Sequence, residues 1–396
     1  MENLRNKFLR LLKQTNYAYK RYLYYKINWN SRLIIIKGQR GVGKTTIMLQ
    51  YIKDKIETLS KTLYISLDDI YFSGNSLSEF VEQFVMNGGK NLFIDEVHRY
   101  PNWSVEIKNI YDFYPDLKVV ATGSSAIAIE KAKADLSRRA SVYHLHTLSL
   151  REFIALFHKI EIDKLSIEEI VDSHEEISLN INKFIKPVEL FNQFIKYGSY
   201  PFANFNDPLF YDKLNSIVNI TIDNDIPTFE NINYETRIKV KKLLYLISSA
   251  VPFKPNVAEL SKKVGTSRDI LLKYLHLISN AEIINLLNQS GSPTSILQKP
   301  EKIYINNPTL MLALDESANV GTLRETFFMN QVSSNHKLNA PKTGDFLVDN
   351  KYLFEIGGKN KTKKQIAGIP NSFTVHADME FGYKNKIPLW MFGFLY

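Results

Sequence analysis

The 396-residue sequence predicts an α/β protein built from several domains. Three observations predict this. Short apolar runs alternate with helical segments through the first third. A glycine-rich loop follows the first apolar run. Beyond about residue 149 the pattern turns to longer helices, then to helix-turn-helix spacing, then to a closing α-to-β stretch.

Taken in order, residues 1–30 read as one basic, aromatic-rich helix, with Leu4, Phe8, Leu11 and Leu12 at helical spacing, ending near Asn28-Trp29-Asn30. Strands are then expected at Leu33–Ile36, Leu63–Ser66, Leu92–Ile94 and Leu117–Ala121, with helices between them at Thr45–Ile56, Leu77–Met86 and Val105–Tyr114. Buried strands alternating with helices imply a parallel sheet. From Ser149 to Asn224 the helices lengthen, and the acidic stretch Glu168–Glu176 reads as a solvated face. Residues 235–285 are helical, 283–306 alternate like a hairpin around Gly291-Ser292-Pro293, and the remainder passes from α to β with a lysine run. The expected domains are 1–148, 149–234, 235–306 and 307–396.

A hydrophobic content of 44% is enough for each to bury a core. No apolar run approaches the length of a membrane span, and the Phe8–Leu12 patch between Arg5 and Lys13 is too brief for a signal-peptide core, so a cytoplasmic protein without a membrane partner is expected. With 0 cysteines there is neither disulfide nor thiolate zinc site. The pair His144-Leu145-His146 has no nearby third ligand and reads as two same-face residues of a strand. The net charge of +9 suits acidic partners such as nucleic acid, although AT-rich genomes enrich lysine without any such function.

The strongest signal is Gly38-Gln39-Arg40-Gly41-Val42-Gly43-Lys44-Thr45-Thr46, which fits G-x4-G-K-[ST], follows a strand and opens a helix. Its glycines let successive N–H groups point at a phosphate, and the helix N-terminus adds its dipole there. Lys44 would reach the β- and γ-phosphates of ATP, and the Thr45 hydroxyl would bind Mg²⁺. Further on, Asn91-Leu-Phe-Ile-Asp95-Glu96 is an apolar strand ending in two carboxylates: Asp95 for the magnesium shell, Glu96 to polarise the attacking water. The strand at Leu117–Ala121 runs into Thr122-Gly123-Ser124-Ser125, where Ser124 is expected to sense the γ-phosphate or to cap an Ala126–Lys133 helix. Arg139, beside Arg138, would reach a neighbouring subunit's γ-phosphate or form a surface pair.

Together, Gly38–Thr46, Phe93-Ile-Asp-Glu-Val-His-Arg-Tyr-Pro-Asn-Trp103, Ala121–Ser125, Arg139 and Tyr197-Gly-Ser-Tyr-Pro-Phe202 resemble a prokaryotic AAA+-like P-loop ATPase family carrying a C-terminal restriction-nuclease-like domain of unknown function. The resemblance covers nearly the whole chain. It implies an AAA+-like ATPase core, a helical lid, a winged helix and a PD-(D/E)XK-like terminal fold. Members of that family have Gly-Arg where this chain has Arg138-Arg139, so Arg139 keeps the shared arginine and Arg138 departs.

Val257–Leu275 has the order helix, Gly265 turn, Ser267-capped helix of a helix-turn-helix, with a wing expected around Gly291. Arg268, Lys273 and His276 could face a DNA groove, or the module could pack as a lid. In the last domain, Glu325, Asp345 and Glu355 resemble the magnesium-binding carboxylates of PD-(D/E)XK nucleases. The lysine expected two residues after the glutamate is Gly357, so only Lys359 could substitute, and binding without cutting is expected. The sequence thus points to an ATPase using ATP and Mg²⁺ to switch the arrangement of its later modules on DNA. The alternative is a slow ATP-gated regulatory switch in a defence or toxin setting, with a second copy of the chain or another protein as partner.

Overall fold

The computed structural model describes residues 1–15, 18–124, 136–228, 230–249, 254–289, 298–358 and 363–396. The helix expected at 126–133, Ser125, the hairpin tip at 291–293 and Lys359 lie outside the described residues. Two compact units form: residues 1–146 with 223–232, and residues 147–222 with 233–396. The first boundary falls beside the one expected at 148. The segments expected at 149–234, 235–306 and 307–396 share the second unit, apart from 223–232, which joins the first.

In the first unit, the single helix expected over 1–30 is two: α1 (Glu2–Gln14) and α2 (Tyr22–Lys26). Arg21, just before α2, is buried, and its guanidinium donates to the carbonyls of Val42 at 2.7 Å and His146 at 2.9 Å. α1 itself ends at Thr15, where the backbone is extended at φ −66° and ψ 134°. Leu4, Phe8 and Leu12 form the buried stripe of α1, with Phe8 packed on Tyr64 at a ring separation of 6.4 Å.

The sheet follows from the Ile- and Val-rich runs. Its strands are β1 (Leu33–Lys37), β2 (Thr62–Ser66), β3 (Asn91–Asp95), β4 (Lys118–Gly123) and β5 (Ser141–His144). Helices α3 (Lys44–Lys55), α4 (Leu77–Met86) and α5 (Trp103–Phe113) alternate with them. All strand pairs are parallel, in the order β2-β3-β4-β1-β5. β4 therefore lies between β1, which delivers the glycine loop, and β3, which ends in the two carboxylates. The rings of His144 and His146 lie 3.9 Å apart, but β5 ends at His144, so His146 lies beyond the strand expected to carry both.

The second unit begins with α6 (Leu150–Phe153), α7 (Ile167–Ile181), α8 (Pro187–Gln193) and α9 (Phe210–Ile220). On α7, Glu168, Glu169, Asp172, Glu175 and Glu176 are exposed while Ile167, Ile170 and Val171 are buried, the solvated acidic face expected there. Next come α10 (Tyr234–Ser248), α11 (Val257–Val264) and α12 (Arg268–Asn280), followed by the antiparallel strands β6 (Ile284–Leu287) and β7 (Lys302–Ile305). Gly265 closes α11 at φ 75°, and the Ser267 side chain caps α12. The chain ends with α13 (Pro308–Leu314), α14 (Val320–Val332) and strands β8 (Leu338–Asn339), β9 (Phe346–Val348), β10 (Tyr352–Gly357), β11 (Ser372–His376) and β12 (Lys386–Pro388). β8, β9 and β10 pair antiparallel, whereas β10, β11 and β12 pair parallel. α14 packs on this sheet through Phe328, whose ring lies 5.0 Å from Phe346 and 5.3 Å from Phe354. No described helix is long and apolar enough to cross a membrane.

Candidate functional site

The glycine loop leaves β1 at Gly38. A Cβ there would sit 2.3 Å from the Leu145 carbonyl oxygen, so the close approach of loop and chain admits only glycine. Gly43, at φ 100°, turns the chain into α3 in a conformation that disfavours any side chain. Gln39 and Val42 are buried within the loop, while Arg40, Gly41, Gly43, Thr45 and Thr46 are partly exposed. Lys44, the first residue of α3, is buried, and its Nζ donates to the carbonyls of Gly38 at 2.8 Å and Gln39 at 3.0 Å. The ammonium is thus folded over the loop whose N–H groups would cradle a phosphate.

Asp95 is the point where the strands and loop meet. Its Oδ2 accepts from the Thr45 hydroxyl at 2.5 Å and the Tyr64 hydroxyl at 2.8 Å. Its Oδ1 accepts from the Thr122 hydroxyl and from the Glu96 N–H at 3.0 Å. Burial, with the nearby Asp95 charge, pushes the Tyr64 hydroxyl well above its ordinary range, so it stays a donor. Thr45 and Asp95 present hard oxygens side by side, a donor set that fits Mg²⁺, which uses one or two protein oxygens and fills the rest of its shell with phosphate and water.

Glu96 adopts a left-handed backbone, φ 53° and ψ 40°, uncommon for a residue with a side chain. Its Oε2 is buried and has no hydrogen-bond partner among the described residues. His98 Nδ1 lies 3.4 Å and Arg40 Nη2 3.9 Å from that oxygen. A carboxylate oxygen so placed retains the capacity to accept a proton from water.

Beside Glu96 stands a cluster that spacing did not foretell. Asp225, 2% exposed, accepts on Oδ1 from Arg99 Nη2 at 2.7 Å and Arg40 Nη2 at 3.2 Å, and on Oδ2 from the Ser124 hydroxyl at 3.2 Å. His98 Nε2 lies 2.8 Å from the Ser124 oxygen and 3.6 Å from Asp225. Burial pushes the Asp225 carboxyl up, but its His98 hydrogen bond and the Arg40 charge outweigh that and hold it down at about 2. Burial pulls the Arg40 guanidinium down, and the charges of Asp225 and Glu96 more than reverse this.

Ser124 follows the carboxyl end of β4, with its hydroxyl on His98 and Asp225. Arg139 does not join the site in its own chain. Its guanidinium grips Asp112 of α5 through two bonds of 2.9 and 3.0 Å. It precedes β5, whose first residue, Ser141, pairs with Ile34 near the start of β1, so Arg139 lies at the end of the sheet away from the loop. His98 and Arg99 follow Asp95-Glu96 after Val97 alone, which was a signal. Asp225 had none.

Two of the C-terminal carboxylates, Glu325 and Asp345, meet at one lysine. Lys302, on β7, places Nζ 3.1 Å from both Glu325 Oε2 and Asp345 Oδ1. The Tyr304 hydroxyl donates to the same Glu325 oxygen at 2.6 Å, and the Ile356 N–H to Asp345 Oδ2 at 2.9 Å. Glu355 is buried on β10. Among the described residues, no group of three or more His, Cys, Asp or Glu could hold a metal ion. The Lys302 ammonium bridges Glu325 and Asp345, two of the three carboxylates likened to a magnesium-binding set.

Residues 30–154 match a protein family described as an AAA domain, and residues 188–321 match a domain of unknown function, DUF8612. The chain is 26% identical over 373 residues to the uncharacterized protein MJ1637 of Methanocaldococcus jannaschii, spanning 86% of this chain and 78% of that one. It is 24% identical over 352 residues to the uncharacterized protein MJ1544 of the same organism, spanning 85% and 74%. Among solved structures, AMPPCP-bound DnaA from Aquifex aeolicus aligns with a TM-score of 0.27 at 14% identity, over 70% of this chain and 88% of that one. A structure described as a basis for katanin self-assembly aligns at 0.26 and 13% identity, over 47% and 66%.

Replacing Lys44 with alanine removes the cation folded over the loop. The expected outcome is a loss of about 1.5–3 kcal/mol in ATP binding, roughly ten- to hundredfold, with an unchanged far-UV circular dichroism spectrum. Binding of a fluorescent ATP analogue at wild-type affinity would remove Lys44 from the site.

Proposed function

We propose, from the premise that residues 30–154 form a P-loop domain of AAA type, that this protein binds ATP with magnesium at Gly38–Thr46 and hydrolyses it, using the nucleotide cycle to switch the state of its second unit. The observation that supports this most is the meeting of Thr45, Tyr64 and Thr122 on Asp95, beside a Glu96 oxygen free to accept from water. Lys44 and the loop N–H groups bind and orient the phosphates. Magnesium, held by Thr45 and by Asp95, directly or through water, would neutralise phosphate charge. Asp95 is oriented for this by the Tyr64 and Thr122 hydroxyls. Glu96 takes the proton from the attacking water, and its position is fixed by the left-handed turn and by Arg40 and His98. Ser124 reads the terminal phosphate from the end of β4. Arg139, at the far end of the sheet, suits action on the phosphate of a neighbouring subunit and none of its own.

In the second unit, α10 to α12 with the β6–β7 pair support the winged-helix reading, and Arg268 and Lys273 are exposed on α12. His276 is only partly exposed, and burial pulls its imidazole below the ordinary range, so it is a weaker phosphate contact. α14 with β8 to β11 supports the nuclease-like reading as a binding module. Lys302 holds Glu325 and Asp345 there without the means to activate water. A second reading, a slow ATP-gated switch acting on another protein, draws on Asp225, which ties Arg40, Arg99 and Ser124 together. Hydrolysis accelerated by duplex or single-stranded DNA favours the first reading. Hydrolysis indifferent to DNA, with nucleotide retained through gel filtration, favours the second.

Glu96→Gln keeps the shape and loses the base. Phosphate release is expected to fall about 10²–10⁴-fold while ATP affinity stays within about twofold; a wild-type rate would sink the assignment. Arg139→Ala is expected to slow hydrolysis about a thousandfold and leave ATP affinity alone. Mixing it with Lys44→Ala should restore activity, and failure to do so in a protein shown to be oligomeric counts against action in trans. Charge reversal of both Arg268 and Lys273 should weaken DNA binding and lower its salt-dependence slope by roughly two, as read by fluorescence anisotropy across a salt series. An unaltered isotherm would move the DNA footprint off α12.

A further inference from the structure

Asp225 lies about 130 positions beyond the strand it meets, in a short stretch, 223–232, that belongs to the first unit although the chain on both sides of it belongs to the second. Four side chains from three separate segments converge on its carboxylate: Arg40 from the glycine loop, His98 and Arg99 from the turn after β3, and Ser124 from the end of β4. Two of these are guanidinium groups, and a buried carboxylate is scarcely needed to solubilise them. The set has the composition of a phosphate-reading site, with planar charged forks and a hydroxyl. Arg40 belongs to the phosphate loop itself and stands 3.9 Å from Glu96. The terminal phosphate must come beside Glu96 for that residue to serve as base, and so it must enter the reach of these same groups.

We propose that Asp225 is the chain's own stand-in for the terminal phosphate of the nucleotide, and that a triphosphate, but not a diphosphate, displaces it from Arg40, Arg99 and Ser124. This rests on ATP binding at Gly38–Thr46. Local repulsion favours the exchange even with magnesium bound on the Thr45 and Asp95 side of the phosphates. Lys44, Arg40 and Arg99 offset Asp95, Glu96 and Asp225. A terminal phosphate brought next to Asp225 in that enclosed space would set like charges together, which is costly where solvent is scarce. The phosphate offers more acceptor oxygens than the carboxylate and takes its donors. A diphosphate stops short of Arg40 and leaves Asp225 in place. Because 223–232 is continuous with Ile222 and Asn233 of the second unit, release of Asp225 reports triphosphate occupancy along the chain itself.

Hydrogen exchange on the full chain, read by mass spectrometry without nucleotide, with magnesium and ADP, and with magnesium and AMP-PNP, tests this. Peptides covering 223–232 are expected to exchange at least several-fold faster with AMP-PNP than in the other two states. In Asp225→Asn, AMP-PNP should bind at least about fivefold more tightly while ADP affinity stays within about twofold, since only the triphosphate had to compete. A purely structural role would shift both nucleotides together. Both nucleotides bound with no AMP-PNP-specific change in exchange would overturn the proposal, as would Asp225→Asn weakening AMP-PNP. If that variant fails to fold, the exchange comparison on the unaltered protein decides alone. If the unaltered protein binds neither nucleotide, the ATPase reading falls and this proposal falls with it.

Discussion

The carboxylate of Asp95 is the constraint on which the nucleotide site depends. Hydroxyls from β2, β4 and the first turn of α3 all end on it, and it lies at the tip of β3. A buried carboxylate without such partners would be expensive, and with them it locks three strands and the glycine-loop helix into one register. The strand order then does the rest. With β4 between β1 and β3, the Ser124 hydroxyl is delivered between the phosphate loop and Glu96. With β5 parallel to β1 and Ser141 opposite Ile34, Arg139 is kept at the end of the sheet away from the loop.

Much of this was legible in the sequence because it depends on local chemistry. Glycines at 38 and 43 are demanded by a close approach and a left-handed turn, and an apolar run ending in Asp95-Glu96 needs only strand periodicity to be recognised. The single helix expected over 1–30 is broken at the extended Thr15, and beyond it Arg21 is pinned by the carbonyls of Val42 and His146. Nothing in local spacing announces that. Asp225 was illegible for the same reason. An acidic residue in the helical stretch Asp223-Asn224-Asp225 acquires meaning only when Arg40, Arg99 and Ser124 are folded around it.

The C-terminal module shows the opposite hazard, in which spacing suggests a chemistry that packing redirects. Glu325, Asp345 and Glu355 have the order of a metal-binding set, yet the cation between the first two is Lys302, carried in on β7. Burial opposes the Lys302 charge, and the two carboxylates overcome this and raise its pKa, so the lysine remains an ammonium and the pair remains bridged. The bridge binds β7, α14 and the start of β9 to one another. Glu325 Oε2 accepts from Lys302 and the Tyr304 hydroxyl, and the two Asp345 oxygens accept from Lys302 and the Ile356 amide.

The most direct measurement is a crystal structure of the full chain with magnesium and AMP-PNP. The phosphates are expected within Gly38–Thr46, with Lys44 turned from the loop carbonyls onto them, the metal beside Thr45 and Asp95, and a water between Glu96 and the terminal phosphate. Nucleotide bound elsewhere, or bound at the loop with Asp95 and Glu96 remote from the metal and the terminal phosphate, would contradict it.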